Sequence, residues 1–265
     1  MIAPGLRRVR FEAESAPRPS LIINASADLH CHILPGIDDG ARDLDDAVAM
    51  GRQAEADGIQ AVCATPHIRH DHDVRIAELP GRLAEVRAAI ARSGCGTRIL
   101  AGGEVAATAL EGLDEPELRA VTLGGAGRWI LLEPAPGPLD DSLDRAVRHL
   151  AARGLRALIA HPERHPATDL VDRLRRLVES GALVQVTGAY LVDPATRKGM
   201  LELASAGVLH VLGSDSHSSR AGRPVALTAA LEAVATVEPT ASHLEWIAHA
   251  APEAIVSGTD LRSPF

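Results

Sequence analysis

A chain of 265 residues, 46% hydrophobic and 23% charged, has the make-up of an ordinary folded protein with room for one large α/β domain or two small ones. Its formal net charge of −8 argues against the broad basic face that nucleic acid or an anionic membrane requires, and no segment approaches the roughly 20 apolar residues of a membrane helix. Aromatic residues make up only 2%, so the core must be built from Ala, Val, Leu and Ile, and the unusual feature is a set of 12 histidines.

Taken in chain order, residues 1–20 carry Arg7, Arg8 and Arg10 with no apolar stretch behind them, which reads against a secretory leader. Pro4, Pro17 and Pro19 break this segment up, so a poorly ordered extension is expected, followed by a single domain over 21–265. The three cysteines, Cys31, Cys63 and Cys95, are odd in number and form no CxxC pair, which fits a reducing compartment and a cytoplasmic protein. Short apolar runs predict strands over 22–30, 60–64, 98–102, 129–132, 157–160, 183–187 and 208–213. Between them, Asp43 can cap a helix that runs to Asp57 and stops at Gly58, and Leu143, Val147 and Leu150 share one face of a helix ending at Gly154. Further helices are expected over 170–180, before Gly181, and over 194–206, before Gly207. Strand–helix repeats with short connections indicate parallel strands and right-handed crossovers. Seven such strands suggest a closed barrel, an open doubly wound sheet being the alternative, and neither GxGxxG nor a Walker loop is present.

Almost every predicted strand ends in a histidine or a carboxylate. The first gives His30-Cys31-His32 followed by Asp38 and Asp39, the second His67, the third Glu104, the fourth Glu133, the fifth His161-Pro162-Glu163-Arg164 and the seventh Asp215-Ser216-His217. Singly, each has an ordinary reading: His67 as a plain histidine, Glu104 as a turn residue after two glycines, Pro162 as the start of a helix. In a parallel barrel, however, the C-terminal strand ends converge on one rim. His30 and His32 point to the same side of an extended chain, as do Asp215 and His217. So many carboxylates in one pocket would repel one another and be driven to protonate, a conflict that divalent cations remove.

HCHILPGIDDGARD, ATPH, GGE, LLE, AHPER and GSDSH, in this order, resemble the PHP superfamily of metal-dependent phosphatases. The opening motif is similar to that of the manganese-dependent protein-tyrosine phosphatases of bacterial capsule and exopolysaccharide synthesis, and the resemblance runs over roughly residues 27 to 257. It implies a distorted (β/α)7 barrel holding three divalent metal ions, with manganese expected and iron or zinc as alternatives. It places His30, His32 and Asp215 on one metal, and Glu104 between that metal and a second one held also by Glu133 and His161. Asp39, His67 and His217 go to the third; Asp38 is the alternative to Asp39, which the family pattern favours. Arg164 and Arg223 match arginines that face the phosphate. The implied activity is hydrolysis of a phosphomonoester, the metals and a guanidinium clamping the phosphoryl oxygens, with no cysteine nucleophile needed. The implied partner is a phosphotyrosine-bearing bacterial tyrosine kinase; neither nucleic acid nor stable membrane insertion is implied, and the oligomeric state is left open.

The extension before Asp28 departs from the family, whose members begin near the first histidine pair. The loop Ile68-Arg69-His70-Asp71-His72-Asp73 carries extra histidines and aspartates and is expected to be solvated, and His165 is expected near the surface. A PHP phosphatase acting on histidinol phosphate or a nucleotide would carry nearly the same metal set. A metal-dependent amidohydrolase would typically show a bridging lysine, whereas the only lysine here, Lys198, falls in a helical pattern. A non-catalytic phosphoprotein-binding module is the reading from a different class, and the complete donor set argues against it.

Overall fold

The computed structural model describes residues 24–165 and 167–265. The extension expected over 1–20 and the first residues of the strand expected over 22–30 lie outside the described residues. Two short sheets make up one ring of parallel strands. β1 (Ala27–Cys31), β2 (Ala61–Ala64) and β4 (Arg98–Leu100) are neighbours in that order. The rest follow as β3 (His67–Ile68), β5 (Glu104–Ala106), β6 (Trp129–Glu133), β7 (Arg156–Ile159), β8 (Leu183–Thr187) and β9 (Val211–Gly213). β3 resumes the line of β2 beyond Thr65-Pro66, where proline cannot donate to a ladder, and β5 resumes that of β4 beyond two glycines. Each of the seven expected strands is therefore present. The last meets the first, with Asp215 N donating to His30 O (2.8 Å) and His32 N to Ser216 O (2.9 Å). The sheet is curled into a distorted barrel, and the open doubly wound alternative is excluded.

Around the ring lie α1 (Leu44–Ala56), α2 (Leu79–Arg92), α3 (Glu115–Ala120), α4 (Asp141–Ala152), α5 (Leu170–Glu179), α6 (Gly188–Val192), α7 (Arg197–Ser205), α8 (Thr228–Val234) and α9 (Ala251–Val256). Asp43 caps α1 as expected, accepting from Asp46 N at 2.8 Å. α4 buries Leu143, Ala146, Val147 and Leu150 on one stripe. α7 starts later than the expected 194, because Asp193 Oδ1 accepts from Ala195 N (2.9 Å) and holds those residues in a turn. No helix among the described residues is long and apolar enough to cross a membrane.

Strands covered on both faces read as continuous apolar runs, and here each face has its own partner. The register sets Glu104 beside Leu131, Leu131 beside Leu158 and Leu158 beside Leu183, so these side chains share the inner face. The three leucines pack with Leu29, Cys63, Trp129 and Val211 into an inner plug under the rim. The alternate residues Ile130, Leu132, Ile159, Val184 and Val186 belong to the larger core beneath the helices. In β1 the pairing slips by one residue between Asp28 and Cys31, a bulge that leaves backbone groups short of ladder partners. Buried Asp28 makes up the deficit: its Oδ1 accepts from His30 N (3.1 Å) and from Ser214 N (3.0 Å) across the seam.

Candidate metal centre

The rim over the leucine plug gathers all nine residues expected as metal ligands. His30 and His32 extend from the end of β1 with their Nε2 atoms 3.2 Å apart. Glu104 opens β5 and is fully buried; the turn reading of this residue fails, because it lies within a strand and faces inward. Its Oε1 lies 2.7 Å from His161 Nε2, and its Oε2 lies 2.9 Å from His67 Nδ1, 3.3 Å from His30 Nε2 and 3.4 Å from His32 Nε2. Asp215 Oδ1 stands 3.4 Å from His30 Nε2 and 3.6 Å from His217 Nδ1. Donor atoms within 4.8 Å of one another form four groups: His32, Asp39, His67 and His217; His30, His32 and Glu104; His30, His161 and Asp215; His67, Glu104 and Glu133. His161 thus keeps company with His30 and Asp215, and Glu133 with His67, rather than His161 and Glu133 with each other.

Two of these residues, His161 (φ 30°) and Asp215 (φ 48°), are non-glycine residues in the left-handed region. Such a backbone is sparsely populated and persists where surroundings enforce it, commonly at functional sites. Two glycines make room. A Cβ on Gly40 would collide with the His32 carbonyl oxygen, and one on Gly213 would come within 2.9 Å of His30 Cβ.

Asp38 and Asp39 separate cleanly. Asp38 Oδ2 accepts from His32 Nδ1 and from His67 N, each at 3.0 Å, and its Oδ1 accepts from Gly40 N at 3.0 Å. Asp39 is exposed, with Oδ1 at 3.4 Å from His67 Nε2 and 3.5 Å from His217 Nε2. Asp38 is therefore the orienting partner of His32, while Asp39 turns its Oδ1 toward the rings of His67 and His217. Gln185 does for His30 what Asp38 does for His32, with Oε1 at 2.9 Å from Nδ1. Gln185 belongs to none of the strand-end motifs, and its signal in the sequence is a lone amide in the apolar run LVQVT, which needs a buried partner.

The electrostatics follow from this crowding. Burial opposes the ionised form of Glu104, yet His30 and the rings of His161 and His32 outweigh it and hold the carboxyl well below its usual range. Glu133 is pushed up by burial and by Glu104 beside it. Burial lowers His161 to about 4, and burial with His32 lowers His217 to about 3. Against burial, Asp38 and Glu104 raise His32 to about 9, and Asp38, held by His32, falls to about 2. A divalent cation fits this donor set. Glu104 Oε2 and His67 Nδ1 are buried and make no hydrogen bond among the described residues, although imidazole and carboxylate atoms converge on them at 2.9 to 3.4 Å. Mixed imidazole nitrogen and carboxylate oxygen suits manganese, iron or zinc.

Arg164 and Arg223 both reach Asp215 Oδ2, Arg223 at 3.0 Å, and Arg223 Nε also donates to the Asp215 carbonyl at 2.8 Å. The loop after β3 is less solvated than expected. Arg69 is half-buried and donates to Glu133 Oε1 (3.0 Å), and the His72 ring stacks on His67 at 4.8 Å, whereas His70, Asp71 and Asp73 are exposed. His165 lies at the edge, 2.9 Å from Gly137 O. Cys63 and Arg69 also stand in the CxxxxxR spacing of cysteine-dependent phosphatases. Cys63 nonetheless sits buried within β2, its thiol pushed up to about 12 by burial, so the spacing forms no nucleophilic loop.

Comparisons with known proteins point the same way. The chain is 30% identical over 199 residues to the tyrosine-protein phosphatase YwqE of Bacillus subtilis, covering 72% of this chain and 77% of that protein. It is 28% identical over 200 residues to the putative tyrosine-protein phosphatase CapC of Staphylococcus aureus, over 72% and 76%. A crystal structure from work on YwqE and on CpsB of Streptococcus pneumoniae, described as unique metal-dependent tyrosine phosphatases, superposes with a TM-score of 0.73 at 25% identity, over 88% of this chain and 95% of that one. A β-aspartyl dipeptidase from Fervidobacterium islandicum, at 13% identity and a TM-score of 0.52, shares the fold alone. Residues 26–256 match the model of one family, and the chain belongs to the CpsB/CapC family of capsular polysaccharide synthesis.

Proposed function

We propose that this protein is a metal-dependent protein-tyrosine phosphatase serving capsular polysaccharide synthesis, and that its substrate is a phosphotyrosine-bearing bacterial tyrosine kinase in the cytoplasm. The observation that carries this reading is the convergence of His30, His32, His67, Glu104, Glu133, His161 and Asp215 on one buried rim beside two arginines. The family relatives, named as tyrosine-protein phosphatases, support the choice of substrate.

On this reading three divalent ions, manganese first and iron or zinc next, would be held by His30, His32 and Asp215; by Glu104, which touches both sides, with Glu133 and His161; and by Asp39, His67 and His217. When bound, such ions neutralise phosphoryl oxygens and activate water. Asp38 and Gln185 fix which nitrogen His32 and His30 present. The forks of Arg164 and Arg223 offer paired donors to the equatorial oxygens of the phosphate, a match of shape that an ammonium group lacks. The tyrosine phenolate leaves with a pKa near ~10, so no strongly acidic side chain is needed to protonate it.

The deciding experiment compares hydrolysis of phosphotyrosine peptides and of histidinol phosphate by manganese-reconstituted protein, with and without EDTA. Preferential, chelator-sensitive turnover of the peptides is expected. Preferential turnover of histidinol phosphate would refute the substrate assignment, and full activity in EDTA would refute the metal dependence.

A further inference from the structure

We infer that α1 is the platform that positions Arg223, with Gln53 as its clasp. This inference rests on the reading of Arg223 as a phosphate ligand. Asp46, Gln53 and Asp57 recur at i, i+7 and i+11, which brings them onto one stripe of the helix and its C-terminal cap. That stripe faces the segment 218–228, which follows His217, carries Arg223 and has no regular structure before α8.

The attachments run the length of the segment. Asp46, buried in the first turn of α1, accepts from Ser219 N (2.9 Å) and Ser219 Oγ (2.6 Å) on one oxygen, and from Ser218 Oγ (3.1 Å) and Arg42 N (3.3 Å) on the other. Gln53 Nε2 donates to Ser219 O (3.0 Å), and its Oε1 accepts from Val225 N (3.2 Å). Asp57 Oδ2 accepts from Leu227 N (2.6 Å) and Thr228 N (3.0 Å). Among the described residues, the backbone of 218–225 makes no hydrogen bond to the backbone of a strand or helix. A segment without a ladder has to satisfy its polar groups elsewhere, and here one helix face does so. Gln53 grips both flanks of Arg223, four residues before it and two after, so the guanidinium is delivered onto Asp215 from a fixed base. Gln53 and Asp46 touch neither the metal donors nor the place of the phosphate; they are positioning residues that act through Arg223.

The test measures binding of inorganic phosphate to the manganese-loaded protein by calorimetry, alongside peptide kinetics. Gln53→Ala is expected to weaken phosphate binding about tenfold, the scale of a lost charge-assisted contact, with bound manganese unchanged and the melting temperature lowered by only a few degrees. In an Arg223→Ala background the same change is expected to have less than about a twofold effect, because residues acting as one unit are not additive. Gln53→Met, which keeps the side-chain volume but loses both hydrogen bonds, is expected to match Gln53→Ala and guards against a packing defect. Equal losses with and without Arg223, or wild-type phosphate affinity in Gln53→Met, would overturn the proposal. Wild-type protein that binds phosphate but leaves phosphotyrosine peptides intact would refute the substrate assignment alone, and the binding comparison would still decide the role of the clasp.

Discussion

Asp38 and Asp39 are identical side chains at adjacent positions with different tasks, and their surroundings make the difference. Asp38 is spent on His32, His67 N and Gly40 N, so it orients a ring and a loop. Removing a partner that orients a metal-ligating histidine typically costs 10–100-fold in metal affinity or activity. Asp38→Ala is therefore expected to bind manganese about 10–100-fold more weakly while its circular dichroism is retained, and a metal titration measures this. Asp215→Ala and His217→Ala are expected to abolish hydrolysis. Arg164→Ala is expected to raise the Michaelis constant with the metal content intact, and loss of metal in that variant would show that Arg164 holds Asp215 rather than phosphate. Most of the residues expected as metal donors were legible because they follow the apolar runs that become strands, where a parallel barrel collects side chains, whereas Asp39, in the loop after β1, was named from the family pattern. Asp38's role and Gln185 were not, because a hydrogen bond between His30 and a residue 155 positions away is set by barrel closure.

A buried histidine away from the site gives a pH prediction. His210 lies just before β9 with Nδ1 accepting from Val184 N (3.2 Å), Nε2 without a partner among the described residues, and the Phe265 ring stacked at 5.3 Å. Burial lowers its pKa from the ordinary 6.5 to about 3. In that interval the unfolded chain takes up a proton that the folded chain refuses, so stability falls as the pH drops from 6.5 toward 3. One such group contributes a slope of about 1.4 kcal/mol per pH unit in the middle of the window. His210→Phe is expected to flatten the decline of metal-free protein in urea denaturation between pH 6.5 and 4 by up to this amount. An unchanged slope would show that His210 is not the group responsible.

At the scale of elements, the second and third strands show where a sequence misleads. Thr65-Pro66 and Gly102-Gly103 look like strand ends, and the apolar runs do stop there. The strands nevertheless resume as β3 and β5, carrying His67 and Glu104 one step further up the rim. The helices over 44–56 and 141–152 were legible from caps and stripes. α2 was overlooked although Leu79, Leu83, Val86 and Ile90 mark a buried face. The loop between β1 and α1 is tuned by one small residue. Gly40→Ala places a methyl group against the His32 carbonyl, and the variant is expected to lose manganese binding and to melt at a lower temperature, as followed by calorimetry. Retention of both would mean that the loop yields without disturbing His32.

At the scale of the molecule, the leucine plug and the donor rim are two storeys of one barrel, and they respond differently to change. Leu158 is fully buried in the plug, in register between Leu131 and Leu183. Leu158→Ala is expected to cost about 2–5 kcal/mol of unfolding free energy; denaturant titration measures it, and a loss under about 1 kcal/mol would mean that the plug closes over the gap. The barrel was legible as a class from its alternating runs and its seven strands, but the atoms that close it were not, since the seam is made by backbone groups of His30, His32, Asp215 and Ser216, which carry no sequence signature.

That seam has a consequence for how the enzyme comes into being. The histidine pair of β1 emerges from the ribosome early, yet the carboxylate it faces, Asp215, is translated 185 residues later (215 − 30). A nascent polypeptide stalled before β9 is expected to hold several isolated donors and no capacity to retain manganese. On the proposed ligand set such a chain lacks Asp215 and His217, so firm metal binding is expected only once β9 has closed the ring. Released chains ending before β9, assayed for captured metal beside the full chain, would show the step or its absence.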